Sequence, residues 1–460
     1  MTSTILNPYL EGNFAPVPDE VSVGDLPVTG TLPRELNGRY LRVGPNPTGP
    51  AATDVNHHWF AAHGMVHGVR LRDGRAEWYR NRFVQGDAPN HSPNTNILAH
   101  GGRLLALVEG GRPPVSIAPD LNRMATWDCD GALRGGVTAH PKIDPASGEL
   151  HSVTYLLRPG SEHLRYVVID ATGKATHTAE LPVPGVPLVH DMALTDTRVV
   201  VLDLPVTLSM AAAARVASGT PESGGEFPMR WTEEHPSRVG VLPRGGTAEQ
   251  LRWFDAPRCY VFHVLNAYDN PDGSITMDVC RYDTVFRDEY RGPADVLPAL
   301  ARWTIDPARG TVSEQIMSDH SVEWPRIGPE LVGRPHRYGW FGGIGADGLH
   351  LSDDVNRVRG GSLEPGPLVK FDTTTGEIST HHFGIGRVTQ EPAFVPRPGA
   401  EAEDDGWILS VVHDAATDHS ELVVLDAADV EADPIARVHL PRRVPFGFHG
   451  NWIADNDIGE

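Results

Sequence analysis

The 460-residue chain reads as all-β, and three observations lead there. Short runs rich in β-branched and aromatic residues recur between turn residues: RLLALVEGG (103–111), LRYVVID (164–170), RVVVLDLPV (198–206), ITMDVCRYD (275–283), WILSVVHD (407–414) and ELVVLDA (421–427). Helical periodicity is scarce. It is confined to PVTLSMAAAARVASG (205–219) and, more weakly, PADVLPALARW (293–303). Finally, 48 glycines and 40 prolines supply the many turns that short strands need, while staying below the share that marks low complexity. Such a pattern fits a sandwich, a barrel or a propeller. A single sandwich of this length would need very long loops. A propeller of about seven blades allows about 66 residues per blade, enough for four strands and capping loops.

Along the chain, VVIDATGKATHTAEL (167–181) and LVKFDTTTGEISTHHF (368–383) each read as strand, Gly-containing turn, strand. The two helical stretches are short insertions between strand regions. The acidic GAEAEDDG (399–406) is expected as a solvated loop between two strands. No fixed-period repeat and no linker stand out, so 1–460 is expected to be one domain with diverged blades.

Net charge is −21, so the chain offers no basic face and a nucleic-acid partner is not expected. The three cysteines, Cys129, Cys259 and Cys280, are odd in number and lack CxxC spacing, which argues against a disulfide framework or a zinc ribbon. MTSTILNPYLEG lacks the basic start and apolar core of a signal peptide. No apolar run approaches the roughly 18 residues that span a bilayer. The expectation is a cytoplasmic protein, with a peripheral contact to the inner membrane face as the further expectation. Oligomeric state leaves no signal.

Four histidines occupy apolar, strand-like settings: His140 in VTAHPKIDP, His190 in PLVHDMAL, His263 in YVFHVLNAYD and His449 in FGFHGNW. Burying an imidazole there is costly unless it is bonded. They are 50, 73 and 186 residues apart, so only a closed fold that returns each segment to one axis brings them together. Glu109 (LALVEGG), Glu323 (SVEWPRI) and Glu391 (TQEPAFV) sit in similar surroundings and also need partners. An imidazole bound to metal needs its other N–H held, often by a carboxylate, so the two sets fit each other. An all-imidazole shell differs from the two-His-one-carboxylate triad of many non-haem iron sites. It still leaves positions open for oxygen and substrate. With 22 histidines in the chain, any one of the four taken alone reads first as an ordinary core or surface histidine, and it is the apolar settings and the glutamates that argue against this.

These segments resemble the carotenoid cleavage oxygenases, a family that includes lignostilbene dioxygenases and a retinoid isomerohydrolase. The likeness runs from NPYLEGNFAPV (7–17) to FHGNW (448–452), through GTLPRELNGRYLRVGPNP (30–47), HHWFAAHGMVHGVRL (57–71), EWYRNRFV (77–84) and AHPKIDPASGEL (139–150). The resemblance implies a seven-bladed β-propeller, with loops and short helices capping one face over an axial Fe(II) site. It implies His140, His190, His263 and His449 as metal ligands and Glu109, Glu323 and Glu391 as acceptors behind them. Three glutamates for four histidines leave one without a carboxylate, expected to be His140. Thr95 matches a threonine whose methyl group restricts one vacant coordination position. The chain departs from the family at Ala62-His63-Gly64-Met65, where Gly-Asp-Gly-Met is usual.

The implied reaction is oxidative cleavage of a C=C double bond by O2 into two carbonyl products. Stilbene cleavers carry a lysine immediately before the first of the three glutamates, where it engages the substrate phenol. Val108 stands there and cannot hydrogen-bond a hydroxyl, which favours a carotenoid or apocarotenoid. The alternative, a stilbene or other phenylpropenoid, needs another anchor, for which Tyr79, Arg82 and Phe83 are near in sequence. Trp59, Phe60, Trp340 and Phe341 are candidate tunnel residues, with ordinary core packing as the competing assignment. Leu204, Leu208, Met210 and Val216, within 204–219, could ring an apolar entrance on a membrane. A non-catalytic scaffold is disfavoured by the complete set of histidines and glutamates, and isomerase activity has no positive support.

Overall fold

Seven antiparallel sheets follow one another around the molecule in the computed structural model, which describes residues 7–54, 56–133, 135–158, 160–218, 227–287, 296–345 and 365–459. The expected seven-bladed β-propeller is therefore the fold. Blades two to six have four strands each, consecutive in all but the fourth, where the separate pair Val206–Leu208 and Met229–Trp231 is inserted between the second and third strands. They begin at Asn96–His100, Lys142–Ile143, Met192–Leu194, Tyr260–Asp269 and Val322–Arg326. The first and seventh blades borrow strands across the chain ends. The C-terminal His449–Ala454 pairs with Gly38–Pro45 in the first blade, and the N-terminal Val28–Gly30 pairs with Ala436–His439 in the seventh. Each terminus thus closes the ring at a different blade, and both ladders must break for it to open.

Both hairpins expected from sequence form. Thr178 lies opposite Val167, and Ser379 lies opposite Lys370. The run 198–206 divides into Arg198–Asp203 and Val206–Leu208, because Pro205 between them has no N–H for a ladder. The second helical expectation fails. Ala299–Asp306 is a strand between Ile275–Tyr282 and Thr311–Ile316, and 293–295 lie outside the described residues. Its alternation was present in the sequence: Ala299, Ala301, Trp303 and Ile305 are buried on one face. Ladder pairing on both sides overrides the helix propensity of Ala and Leu. The first helical stretch does hold a helix, Met210–Ser218, started by the Ser209 hydroxyl accepting from the Ala212 N–H; Gly219 lies outside the described residues. The acidic loop 399–406 is tied down rather than merely solvated. Glu403 accepts from the N–H groups of Arg337 and Tyr338, and Asp404 pairs with Lys370 at 2.7 Å. Cys129, Cys259 and Cys280 are free and buried.

Apolar packing between blades fixes their spacing. Trp340 of the sixth blade stacks on Phe394 of the seventh, with centroids 4.5 Å apart and planes 14° from parallel. Such a pair adds about 0.5–1.5 kcal/mol beyond its buried area. Trp340 and Phe341 are fully buried core residues and do not line a tunnel.

Candidate metal centre and its cavity

One side chain from every blade reaches the axis. His449 opens the innermost strand of the first blade, and Glu109 follows the second strand of the second. His140 and His190 each lie two residues before the innermost strands of blades three and four, and His263 lies within that of blade five. Glu323 belongs to the sixth blade and Glu391 to the seventh, between Arg387–Thr389 and Ala393–Pro396. The four histidines offer nitrogen atoms that all lie within 4.8 Å of one another.

Local irregularities aim these side chains. Two register shifts flank Val264, so the strand that carries His263 is bulged on both sides of it. Bulges re-aim side chains in this way next to functional sites. Glu109 is followed by Gly110 and Gly111 at φ +79° and +87°, a double left-handed turn that side chains with a Cβ rarely enter. Trp324 stands at φ +53°, unusual for a bulky residue, and its strand shifts register after Glu323. A regular strand alternates faces, yet here the consecutive Glu323 and Trp324 both face the cavity.

Behind three of the imidazoles stand carboxylates. His263 Nδ1 lies 2.5 Å from Glu323 Oε2, His449 Nδ1 lies 2.9 Å from Glu391 Oε1, and His190 Nδ1 meets Glu109 Oε1. His140 has no carboxylate among the described residues; its backbone N–H donates to the Thr138 hydroxyl. The carboxylates are themselves anchored. Tyr155 donates to Glu109 at 2.8 Å, and Tyr282 donates to Glu323 at 2.9 Å. Glu391 receives the Gly450 N–H at 2.6 Å and lies 3.0 Å from Arg326.

The electrostatics follow from this arrangement. Burial pushes His449 down to about 4 against the opposing charge of Glu391. Burial works to raise Glu391, but the Arg326 charge, His449 and the Gly450 N–H outweigh it and hold the carboxyl at about 2. Burial and the three neighbouring histidines hold His140 far below the usual imidazole range. His263 goes the other way: burial lowers it, but Glu323 prevails and raises it. Burial raises the Tyr155 and Tyr282 phenols, so both remain neutral donors.

The donor set suits a metal ion. With Nδ1–H directed at a carboxylate, Nε2 carries a lone pair. The Nε2 atoms of His190 and His263 face each other 3.2 Å apart, and that of His140 is buried without a partner. Lone pairs directed this close together suit a cation between them. Bonds of about 2.1 Å from one ion would separate nitrogens by up to about 4.2 Å, close to the spread observed.

Above the histidines lies a cavity walled by Trp59, Phe60, Val108, Leu157, Leu188, Phe227, Phe262, Trp324 and Phe448, with Asn94, Thr95, Tyr155 and Tyr282 among its polar members. Thr95 donates to the Asn94 side chain at 3.0 Å. Tyr79 and Phe83 are not in this wall, which corrects the expectation for them. Tyr79 is fully buried among core residues of the first and seventh blades, with its hydroxyl 2.8 Å from His67 Nδ1. Phe83 pairs with Met65 in the first blade, and the Arg82 guanidinium is spent on Val21 O and the Ser22 hydroxyl. Adjacency in sequence to a cavity residue does not survive strand alternation and blade edges. The reading missed Tyr155, Tyr282 and Arg326, which gave no local signal. Phe262, Trp324 and Phe448 were missed despite adjoining His263, Glu323 and His449. His63 is exposed and lies 3.1 Å from the Thr48 hydroxyl, away from the histidine cluster. The strict requirement in that turn falls on Gly64, where a Cβ would lie 1.7 Å from Pro93 O.

Leu204 is buried and belongs to no exposed rim, whereas Met210 and Val216 are exposed on the helix. The strands flanking that helix, Val206–Leu208 and Met229–Trp231, pair with each other. They adjoin the cavity wall through Leu188, whose N–H donates to Val206 O at 2.8 Å. No helix among the described residues is long and apolar enough to cross a membrane.

Residues 14–454 match the family described as retinal pigment epithelial membrane protein. The chain is 41% identical to a carotenoid cleavage oxygenase of Mycobacterium tuberculosis, over 97% of both chains. It is 30% identical to resveratrol cleavage oxygenase 1 of Aspergillus fumigatus, over 98% of this chain and 96% of the relative. Among solved structures, lignostilbene dioxygenase of Pseudomonas brassicacearum superposes with a TM-score of 0.86 at 28% identity, covering 97% of this chain and 98% of that one. Cobalt-substituted apocarotenoid oxygenase of Synechocystis gives a TM-score of 0.80 at 29% identity, covering 95% and 97%. On this fold, this site and these likenesses, the chain belongs to the carotenoid cleavage oxygenase family and is an alkene-cleaving dioxygenase.

Proposed function

We propose that the protein holds Fe(II) through His140, His190, His263 and His449 and uses O2 to cleave a C=C double bond of a carotenoid or apocarotenoid, giving two carbonyl products. The observation that carries this reading is the convergence of four imidazoles, three of them backed by Glu109, Glu323 and Glu391, at the floor of an aromatic cavity. Iron, when bound, supplies the dioxygen chemistry that side chains lack. The protein's part is placement. The glutamates hold three imidazoles in the tautomer that turns Nε2 to the axis. Trp59, Phe60, Phe262, Trp324 and Phe448 give a polyene an apolar bed that fixes which double bond lies over the site. Thr95 and Asn94 narrow the wall beside it. Val108 adds neither charge nor hydrogen-bonding group to that wall. No general acid or base is required.

The exposed Met210 and Val216, with the half-exposed Leu157 that belongs to both surface and cavity, suit peripheral contact with a membrane, where such substrates dissolve. A second reading, cleavage of a phenolic stilbene, is favoured by the likeness to the lignostilbene and resveratrol enzymes and by the Tyr155 and Tyr282 hydroxyls in the cavity. Incubating Fe(II)-loaded protein in air with an apocarotenal and, separately, with 4-hydroxystilbene separates the two by product mass. Shortened polyene aldehydes support the first reading. Benzaldehydes alone would replace it with the second, and no product from either would remove both.

A further inference from the structure

Beneath the histidines lies a second, buried assembly that the proposed reaction does not use. The Asp191 carboxylate, whose side chain is 1% exposed, draws together three of the four histidine-bearing segments. Its Oδ1 accepts the Met192 N–H at 2.7 Å, within its own segment next to His190. Oδ2 accepts the Val264 N–H at 2.8 Å, one residue beyond His263. Lys142 Nζ, two residues beyond His140, stands 2.8 Å from Oδ1 and 3.1 Å from Oδ2. Thr138 adds a parallel tie, its hydroxyl donating to His190 O at 3.2 Å.

Why Asp191 is needed follows from the double bulge. Val264 lies between two register shifts, in the stretch where the strand parts from its regular ladder. A buried backbone N–H left unmatched there would cost about 1–3 kcal/mol. Asp191 is its acceptor, so the carboxylate stabilises the distortion that aims His263. These three segments start separate blades and share no ladder with one another. Their relative height along the axis is fixed by side-chain bonds such as these.

We propose that Asp191 is the positioning residue for the metal centre, setting the mutual placement of His140, His190 and His263 through Lys142 and the Val264 N–H. It touches neither metal nor substrate. The proposal rests on the reading of the four histidines as metal ligands. An Asp191→Asn side chain presents one acceptor and one NH2, so its NH2 must oppose Lys142 together with either the Met192 N–H or the Val264 N–H. Lys142→Met leaves both backbone N–H groups satisfied and removes only the link to the His140 segment.

The test titrates full-length metal-free protein with Co(II), reading affinity by chelator competition and coordination geometry from the visible absorption bands. The melting temperature of the metal-free form is recorded in parallel. Asp191→Asn is expected to bind Co(II) about 10-fold or more weakly, with altered bands, and Lys142→Met about 3–10-fold more weakly. Should Asp191→Asn fail to fold, Lys142→Met alone decides, since the Lys142 side chain is one-fifth exposed. A lower melting temperature with unchanged Co(II) affinity and bands in the folded variants would overturn the proposal, because a purely structural tie moves only the former. A wild type that takes up no Co(II) while His190→Ala behaves identically would overturn the metal reading itself, and this proposal with it.

Discussion

Replacing Glu323 by Gln keeps the shape of the side chain and removes its charge, so it isolates what the carboxylate does. Glu323 Oε2 accepts from His263 Nδ1 and from the Trp324 N–H, each at 2.5 Å, and Oε1 accepts from Tyr282 at 2.9 Å. All three partners are donors. An amide has one acceptor oxygen, so its NH2 must face a donor. Facing Tyr282 costs least, because a hydroxyl can turn and accept. The carbonyl then still receives His263 and Trp324, as a neutral acceptor in place of a charged one. Charge-assisted bonds are about twice as strong as neutral ones. His263 becomes a poorer donor of electrons to the metal, and affinity is expected to fall about 10–100-fold, or about 1.4–2.7 kcal/mol. Chelator competition on the purified variant reads this directly, with turnover of an apocarotenal measured at saturating Fe(II) beside it. Tyr282→Phe should cost less, because it removes one neutral donor. The double variant should then lose less than the sum of the two, since the amide's misfit with Tyr282 vanishes. Metal affinity within twofold of wild type in Glu323→Gln would refute the reasoning.

Replacing His190 or His263 by Ala should abolish metal retention, and stoichiometric iron with turnover in both variants would end the ligand assignment. Val108→Lys places an ammonium in the apolar wall and should lower polyene turnover at least about 10-fold while raising hydroxystilbene cleavage, read from the product ratio; an unchanged ratio would detach Val108 from substrate choice. Phe83→Ala should leave that ratio untouched, because Phe83 is outside the cavity wall. Acid should destabilise the fold through His67, which burial and the nearby Arg42, Arg442 and Arg443 charges lower to about 3. Its native value is below the unfolded one, so its stabilising contribution is complete above about pH 6.5 and is lost as pH falls towards 3. Between pH 7 and pH 5 that loss is about 2 kcal/mol. Urea unfolding of wild type should therefore weaken by about that much more than His67→Gln over the same interval, and equal losses would contradict the assignment.

Much of the fold was legible because strand signals are local. Alternation, β-branched runs and Gly-containing turns specify a hairpin such as 167–181 without reference to the rest of the chain. Where a tempting local signal competed with a ladder, the ladder won: ALAR looks helical until Ile275–Tyr282 and Thr311–Ile316 pair on either side of it. The histidines and glutamates were legible for another reason. Each is a polar group in an apolar run, an arrangement that demands a partner. The walls of the cavity were not legible, because Leu157, Leu188 and Phe227 look like ordinary packing residues. Only the return of distant loops to one place makes them a surface. Tyr79 and Phe83 failed as choices for the same reason, since distance along the chain says little once strands alternate.

The allotment of one site residue to each blade bears on how this architecture can diversify. Propellers are built with about 4 to 8 blades, and adding or losing a repeat is an available route from one ring size to another. Here that route is closed. Removing a blade deletes either a histidine or the carboxylate that orients one, and inserting a blade widens the axis on which four nitrogens must meet. Change in such an enzyme is channelled into the loops above the ring, where Val108, Leu157 and Phe227 can be exchanged without altering the count.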